Sequence, residues 1–383
     1  MPGLVTRRVC LLGFGNVGRR FCELVARKGD ELADDHGLRV RFAAVGTGSH
    51  GSLRSSAGLT AAEVLAAATG RGGGDDTGRL GGRGEGEWAD EPWMFPDAVR
   101  SGTDLIAAGA ADLLVEATPL DPHGGRLAIA HLEAALTHGM DAVTVNKGPI
   151  AWDYRRLADL AASRGRRLKF EGAVMDGCPL FSLFDSCLPG CRLLGFDAVF
   201  NSTTNYILDA LGEGVGFADA LAHVQAHGYA EADPAHDIDG HDAAAKTAAL
   251  ANVLMDAGMT PDDVPKDSVR GVTVEWVTAT RAAGRRLRVV CSAELSGEAV
   301  AARGAPPGGG TTAPADAGGR VRATVRLTEL APDHPLFSAG GSTLSVLLHT
   351  DLMGTVQVAE HDALPDQTAY AIYSDLLAIH EGR

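Results

Sequence analysis

A glycine-rich turn close to the N-terminus constrains the fold of this chain more than any other feature. A short apolar strand, about Arg8 to Leu12, runs into GFGNVG and then into the helical pattern RRFCELVARK. In such a unit the first glycine permits the tight turn, the second lets the backbone approach a pyrophosphate, and the third allows close helix–strand packing. The pattern predicts a dinucleotide site, and the alternative is a turn that serves packing alone. The predicted cofactor-binding residues are Gly13, Phe14, Gly15, Asn16, Val17 and Gly18.

The second predicted strand, RVRFAAVG, ends at Gly46 without a carboxylate. An acidic residue at that point would hold the ribose 2′-hydroxyl of NAD. Its absence, together with Ser49, His50 and Arg54 nearby, favours the 2′-phosphate of NADP, with His50 as a candidate contact. NAD stays open as the alternative, because His50 and Arg54 are equally compatible with an ordinary loop.

The alternation of strands and helices continues through the first part of the chain. DLLVEATP and DAVTVNKGP read as buried strands, and LAIAHLEAALTHG between them reads as a helix. Ligands of such α/β sheets bind at the carboxyl ends of the strands. Thr118, Asn146 and Lys147 follow these strands, so we expect them to lie near the cofactor.

The regular alternation of predicted strands and helices ends after residue 150. RLKFEGAV and LLGFDAVFN read as strands, YILDALG and FADALAHVQAHG as helices, and VRATVRL alternates strictly between apolar and polar residues. We therefore predict an α/β protein with a Rossmann-type domain at 1–149 and a second α+β domain at 150–345. The second domain would carry a mixed sheet for catalysis and dimerisation, and residues 346–383 would return to the first domain. The Gly-rich stretches at 70–91 and 303–319 predict flexible loops.

Composition excludes several classes of function. With 383 residues, 45% of them hydrophobic, the chain is long enough for a real core, and its net charge of -15 argues against a nucleic-acid partner. No stretch approaches the ~18 consecutive apolar residues of a membrane helix. The six cysteines form no CxxC pair, which is typical of reduced thiols in a cytoplasmic protein.

The sequence EADPAHDIDGHDAAAK at 231–246 concentrates carboxylates before a single lysine. Asp242 and Lys246 lie four residues apart at the start of an alanine-rich helix, so their side chains should share one face. An ordinary surface pair, contributing roughly 0.2 to 0.5 kcal/mol, is the alternative. The additional acids, broken by Pro234 and Gly240, favour a site for a cationic or polar ligand.

Four motifs together resemble the homoserine dehydrogenase family over nearly the whole chain. They are GFGNVG, VNKGP at 145–149, NSTTNYIL at 201–208 and GYAEADPAHDIDGHDAAAK at 228–246. The resemblance implies NAD(P)-linked interconversion of L-homoserine and L-aspartate 4-semialdehyde by hydride transfer. It also implies a homodimer formed through the second domain.

The resemblance assigns roles to individual residues. Glu231, Asp237 and Thr203 would bind the amino-acid substrate, and Asp242 with Lys246 would be the catalytic pair. Lys147 matches the second active-site lysine of the family, and which lysine is the main acid–base group stays open. Thr118 and Thr368 would lie against the cofactor.

A sodium site is also implied by the resemblance, and its ligands would be Glu171, Val174, Asp176 and Cys178. The alternative is that EGAVMDGCP forms only a bend, because Met175 and Asp176 replace the glycines usual at this turn. Two further departures concern the C-terminus. Residues 359–367 lack the usual glycine-rich turn near the cofactor, and the expected form has no C-terminal regulatory domain.

Two other functions are compatible with these motifs. A dehydrogenase of the same fold could act on a related amino-acid alcohol or aldehyde. A dinucleotide-sensing regulator could retain GFGNVG without catalysis, but the presence of Lys147, Lys246, Asp242 and Glu231 disfavours it.

Overall fold

The computed structural model describes residues 3–48, 51–69, 101–121, 124–226, 234–296 and 321–383. His50, Glu231 and the predicted loops at 70–91 and 303–319 lie outside these ranges. The chain divides into two compact units. The first contains Met1–Pro149, Arg155–Gly177 and Leu364–Arg383, and the second contains Ile150–Tyr154 and Cys178–Ala363.

The first unit is built on a six-stranded sheet of order β3-β2-β1-β4-β5-β6. Neighbouring strands are parallel except for β3, which runs antiparallel to β2. This dinucleotide-binding architecture is the one that the sequence predicts, whereas β3 was not expected. The strands are β1 (Val5–Leu12), β2 (Leu38–Gly46), β3 (Ser52–Leu59), β4 (Leu113–Glu116), β5 (Asp141–Thr144) and β6 (Leu168–Lys169).

Alternate residues of β1 enter two different cores. Val9 and Leu11 pack with Phe21 and Phe42 in one cluster, whereas Cys10 and Leu12 belong to a second cluster. Successive side chains of a strand point to opposite faces of the sheet, so both faces of this sheet are covered. The helices that follow its strands are α1 (Asn16–Arg27), α2 (Gly29–His36), α3 (Ala61–Thr69), α4 (Gly102–Ala107), α5 (Arg126–Thr137) and α6 (Lys147–Ser163).

The second unit contains a sheet of order β11-β10-β7-β8-β9. Its strands are β7 (Leu193–Val199), β8 (Arg286–Leu295), β9 (Val321–Leu330), β10 (Leu344–Thr350) and β11 (Thr355–Glu360). Its helices are α7 (Ser202–Gly212), α8 (Phe217–Ala226), α9 (Ala235–Ile238), α10 (His241–Met255) and α11 (Val274–Ala282). Helix α10 contacts β7, β8 and β9, and its alanine-rich face is buried there.

Three expectations about the second domain need correction. Its described strands are all antiparallel, not mixed, because an alternating pattern such as VRATVRL specifies the buried face but not the strand direction. RLKFEGAV contributes β6 to the first sheet instead. The C-terminal return starts at Leu364 and not at residue 346, because β10 and β11 complete the second sheet.

The last helix, α12 (Pro365–Glu381), belongs to the first unit. It packs against α1, and its residues Ala369, Ile372 and Leu376 are buried in the core that also contains Phe21. Within the described ranges, no helix combines the length and apolar character that crossing a membrane would require.

Candidate active site

Two glycines of the GFGNVG turn are required by packing. Gly13 adopts φ +95°, and a Cβ at this position would lie 2.1 Å from the carbonyl oxygen of Ala117. A Cβ on Gly18 would lie 2.2 Å from the carbonyl oxygen of Gly13. The turn can therefore press against the end of β4 and against the first turn of α1 only because both residues lack a side chain.

Gly15 meets a different requirement. A Cβ at Gly15 would have no atom of the described residues within 4 Å, and the residue directly precedes α1. The first turn of α1 carries no acidic side chain, and its N-cap residue, Gly15, supplies no side-chain hydrogen bond to the first backbone N–H groups. A helix N-terminus of this kind can bind the anionic pyrophosphate of a dinucleotide. The side chains of Phe14 and Val17 pack in the core, so these two residues could contribute only backbone groups.

The ends of β4 and β5 are joined by one side chain. Asn146 caps α6 by accepting the backbone N–H of Gly148 at 3.0 Å, and its Nδ2 donates to the carbonyl oxygen of Thr118 at 3.2 Å. Lys147 is the first residue of α6. Three residues predicted near the cofactor, Thr118, Asn146 and Lys147, thus lie together at the carboxyl end of the first sheet.

Glu116 is a residue of this region that the sequence reasoning missed. It is fully buried at the end of β4 and accepts hydrogen bonds from the backbone N–H and the hydroxyl of Thr118. The hydroxyl of Thr144 donates to it at 3.0 Å, and His131 Nδ1 lies 3.7 Å from it. Glu116 therefore fixes the orientation of Thr118. An acid that ends the apolar run DLLVE was the signal in the sequence.

The end of β2 carries no carboxylate in the described residues Gly46, Thr47 and Gly48. Arg54, on β3, donates from Nη2 to the carbonyl oxygen of Ala108 at 2.6 Å. Its guanidinium is therefore partly committed to the backbone, which weakens the expectation that it serves a 2′-phosphate.

In the second unit, Asp242 and Lys246 form the expected pair on one face of α10. Lys246 Nζ lies 3.4 Å from Asp242 Oδ2 and donates to the carbonyl oxygen of Phe200 at 2.9 Å. The side chain of Lys246 is only 16% exposed, and that of Asp242 is only 7% exposed. The alternative of an ordinary surface pair is therefore wrong. A largely buried ammonium beside a carboxylate is an arrangement suited to proton transfer.

Asn201 connects this pair to Asp237, and sequence reasoning did not identify it. Its Nδ2 donates to Asp237 Oδ1 at 2.8 Å and to Asp242 Oδ2 at 2.9 Å. Its Oδ1 accepts the backbone N–H of Thr204 at 2.8 Å, so the same side chain caps α7. The available signal was an asparagine directly before the helical STTNYIL, in the position of an N-cap.

Burial raises the pKa of Asp237, and the negative charge of Asp242 raises it further. Hydrogen bonds from Asn201 and Thr203 and the charge of Lys246 act in the opposite direction. The structure thus brings together Asp237, Thr203, Asp242 and Lys246 in one cluster, and their roles stay predictions. Glu231 lies outside the described residues.

Asp239, another member of the acidic stretch, lies on the surface. Its carboxylate accepts hydrogen bonds from Arg270 at 2.6 and 2.8 Å and from Ser268 at 2.9 Å. The rings of His236 and His241 stack with centroids 5.7 Å apart. The acidic stretch therefore divides between a buried cluster and a solvated ion pair.

The residues expected to hold sodium lie partly in the first unit. Glu171 and Val174 are buried, and Asp176 adopts φ +42°. The carboxylate of Asp176 accepts a hydrogen bond from the hydroxyl of Thr368 at 2.8 Å. Across the described ranges, no group of three or more His, Cys, Asp or Glu residues could hold a metal ion. The cation and the cofactor contact of Thr368 stay predictions.

Comparison with known proteins identifies relatives of the whole chain. The family model described as homoserine dehydrogenase matches residues 179–377, and the model of the homoserine dehydrogenase NAD binding domain matches residues 92–171. An NAD(+)-dependent homoserine dehydrogenase of Pseudomonas canavaninivorans is 31% identical over 98% of this chain and 96% of its own length.

Solved structures share the fold. A homoserine dehydrogenase from Thermoplasma acidophilum matches with a TM-score of 0.75 and 24% identity, covering 98% of this chain and 100% of that one. A hyperthermophilic archaeal homoserine dehydrogenase in complex with NADPH matches with a TM-score of 0.74 and 23% identity, covering 99% of both chains. One family model spans more than half of the residues, and one relative aligns over nearly the full length at 31% identity, so this chain belongs to the homoserine dehydrogenase family.

Proposed function

We propose that this protein interconverts L-homoserine and L-aspartate 4-semialdehyde in an NAD(P)-linked reaction. The observation that carries the proposal is the buried Asp242–Lys246 pair, connected through Asn201 to a second carboxylate, Asp237. An amino-acid alcohol presents an ammonium group and a hydroxyl group. The cluster offers a carboxylate for the first and a lysine for the second.

Asp237 would hold the α-ammonium group of the substrate, with Glu231 as a second carboxylate. A carboxylate with one oxygen bound to Asn201 still has further acceptor sites for an incoming ammonium. Thr203, whose hydroxyl also binds Asp237, would help to orient that carboxylate.

Lys246 would transfer the proton of the reacting oxygen. When homoserine is oxidised, the hydroxyl proton passes to neutral Lys246, and in the reverse direction the ammonium returns it to the aldehyde oxygen as the alcohol forms. Asp242 and the carbonyl of Phe200 stabilise the charged form. The bound dinucleotide supplies the second half of the chemistry by exchanging a hydride with the carbon that bears this oxygen.

The first unit would bind the dinucleotide at the turn of residues 13–18, with Thr118 and Lys147 near its reactive end. We propose that both NAD and NADP are used. The described residues at the end of β2 include no carboxylate, so nothing among them would repel the 2′-phosphate of NADP. Arg54 already binds a backbone carbonyl, so it gives no strong preference for that phosphate. The Pseudomonas relative is named as NAD(+)-dependent, which supports NAD as well as the NADP favoured by the sequence.

A homodimer is proposed through the second sheet. Cys291 of β8 points toward α10, so its neighbour Ser292 faces the opposite side of the sheet. On that side Ser292 donates to Asp197 at 2.5 Å, and His349 lies 3.1 Å from the same carboxylate.

A cytoplasmic location, from cysteine usage, and a sodium ion at Glu171, Val174, Asp176 and Cys178 also stay proposals.

Lys246→Ala should lower kcat for homoserine oxidation by about 10² to 10⁴, because that is the usual contribution of a positioned acid–base group. The loss of kcat is measured from steady-state rates of NAD(P)H formation. Lys28→Ala removes an exposed lysine paired with Glu31 and should leave kcat unchanged. Lys147→Ala, measured in parallel, shows which lysine dominates. Full activity of the Lys246 variant would contradict the mechanism.

Acidification should weaken homoserine binding at a higher pH than an ordinary aspartate would require. Asp237 must be ionised to hold an ammonium group, and burial raises its pKa, so KM for homoserine should rise as the pH falls through this raised value. Asp237→Asn should raise KM by about tenfold or more and remove the pH dependence, since tenfold corresponds to about 1.4 kcal/mol. The control is Asp239→Asn, two residues away, where the carboxylate pairs with Arg270. This variant should change neither KM for homoserine nor its pH dependence.

The two cofactors should give kcat/KM values within about tenfold of each other, a difference of about 1.4 kcal/mol. Arg54→Ala should alter the ratio little, because its guanidinium binds Ala108. Initial rates at saturating homoserine with each dinucleotide provide the measurement. A preference of a thousandfold for either one would refute dual use.

Thr324→Arg should convert the proposed dimer to a monomer, because it places a large side chain on the side of the second sheet opposite α10, among Asp197, Ser292 and His349. Ser163→Arg adds the same charge at an exposed position of α6 and should leave the mass unchanged. Light scattering after size exclusion measures the mass. A monomeric unmodified protein would disprove the proposal.

A further inference from the structure

We infer that Asn201 is a positioning residue that couples the substrate-holding carboxylate Asp237 to the proton-transfer pair Asp242–Lys246. The inference rests on the proposed function and adds a group to which no role has been assigned. Its basis is that one buried amide donates to both carboxylates at 2.8 and 2.9 Å.

The orientation of this amide is determined by its surroundings. Asn201 is 6% exposed, and its Oδ1 accepts the backbone N–H of Thr204. The Nδ2 group must then face the two carboxylates, since an oxygen in its place would meet only acceptors. The two N–H bonds of an amide diverge, so each carboxylate receives its own hydrogen bond and the two are held apart.

The same turn of backbone also holds the lysine. Phe200, the residue before Asn201, provides the carbonyl that accepts the hydrogen bond of Lys246 Nζ. Asn201 Nδ2 and Lys246 Nζ both approach the same oxygen, Asp242 Oδ2, at 2.9 and 3.4 Å. Two adjacent residues between β7 and α7 therefore determine where the lysine and both carboxylates lie relative to one another.

The electrostatic need for such a group is clear from the charges around Asp237. The charged groups near it are the carboxylate of Asp242 and the ammonium of Lys246, both on α10, and its neutral partners are the side chains of Asn201 and Thr203. Cys291, from β8, adds no charge to this cluster, because burial raises its thiol pKa to about 12. Two carboxylates in a partly desolvated cluster repel each other, and a shared donor allows both to stay ionised.

Asn201→Asp and Asn201→Ser test this role. Both replacements can still cap α7, since Asp and Ser are favourable N-cap residues. Asp places an oxygen opposite the two carboxylates, and the serine hydroxyl can donate to one of them at most. In both variants the acid limb of the kcat/KM profile for homoserine should move to higher pH by about one unit, and KM for homoserine should rise about tenfold. The dissociation constant of the dinucleotide should not change.

Asn205→Ser provides a matched control. Asn205 lies one turn further along α7 and is fully buried, and its side-chain amide makes no hydrogen bond within the described part of the chain. This variant should change neither the position of the acid limb of the kcat/KM profile nor KM for homoserine. Its effect on stability shows how much of any loss follows merely from replacing a buried asparagine of α7.

A second measurement does not depend on turnover. Loss of the Asn201 hydrogen bond raises the pKa of Asp237 further above its unfolded value, and this penalty is present only while the carboxylate is ionised. The melting temperature of Asn201→Ser should therefore fall furthest below that of the unmodified protein near neutral pH. The difference should narrow as the pH decreases through the raised pKa. For Asn205→Ser, the difference in melting temperature from the unmodified protein should be the same at every pH.

The outcomes separate the role from the proposed function. If the unmodified protein does not oxidise homoserine, the function is refuted, while the pH dependence of melting still tests the coupling of Asn201 to Asp237. If the Asn201 variants keep the acid limb and KM of the unmodified protein, the inference is wrong. It is also wrong if they lose activity equally at every pH with a melting difference that does not vary, because that is the behaviour of a purely structural residue.

Discussion

The hydrogen bond from Lys246 to the carbonyl of Phe200 is the interaction around which the buried polar cluster of the second unit is arranged. An ammonium that is largely removed from water requires compensation, because burial of an unpaired charge is costly. The backbone carbonyl and Asp242 supply it. Asp242 then brings a buried negative charge of its own, which Asn201 helps to satisfy. Each polar group in the cluster is thus required by another, and the junction of β7 and α7 holds all of them.

A comparable dependence exists in the first unit, where the constraint is steric. The turn at Gly13 can contact Ala117 only without a Cβ, so the end of β1 lies directly beside the end of β4. The buried Glu116 at that end orients Thr118, and Asn146 ties the same segment to the start of α6. The groups expected around the cofactor are therefore positioned by backbone contacts and by a buried carboxylate.

Much of this arrangement was predictable because its causes are local. The GFGNVG turn follows a strand and opens a helix, and the spacing of Asp242 and Lys246 places both on one helical face whatever surrounds them. Asn201 and Glu116 were missed because their roles depend on partners far along the chain. Asn201 meets acids 36 and 41 residues away, and Thr144 reaches Glu116 from 28 residues away. The antiparallel direction of the second sheet is likewise a long-range property.

The sequence by itself determined the family, the dinucleotide-binding architecture of the first unit and the placement of Asp242 and Lys246 on one face of a helix. These features follow from short-range periodicity, from the conformational freedom of glycine and from motifs that are contiguous in the chain. The tertiary structure alone decided that the Asp242–Lys246 pair is buried, that Asp239 is instead a solvated partner of Arg270, and that Asn201 lies between two carboxylates. Burial and proximity arise only when distant segments pack together, and they distinguish the buried Asp242–Lys246 pair from an ordinary charged surface.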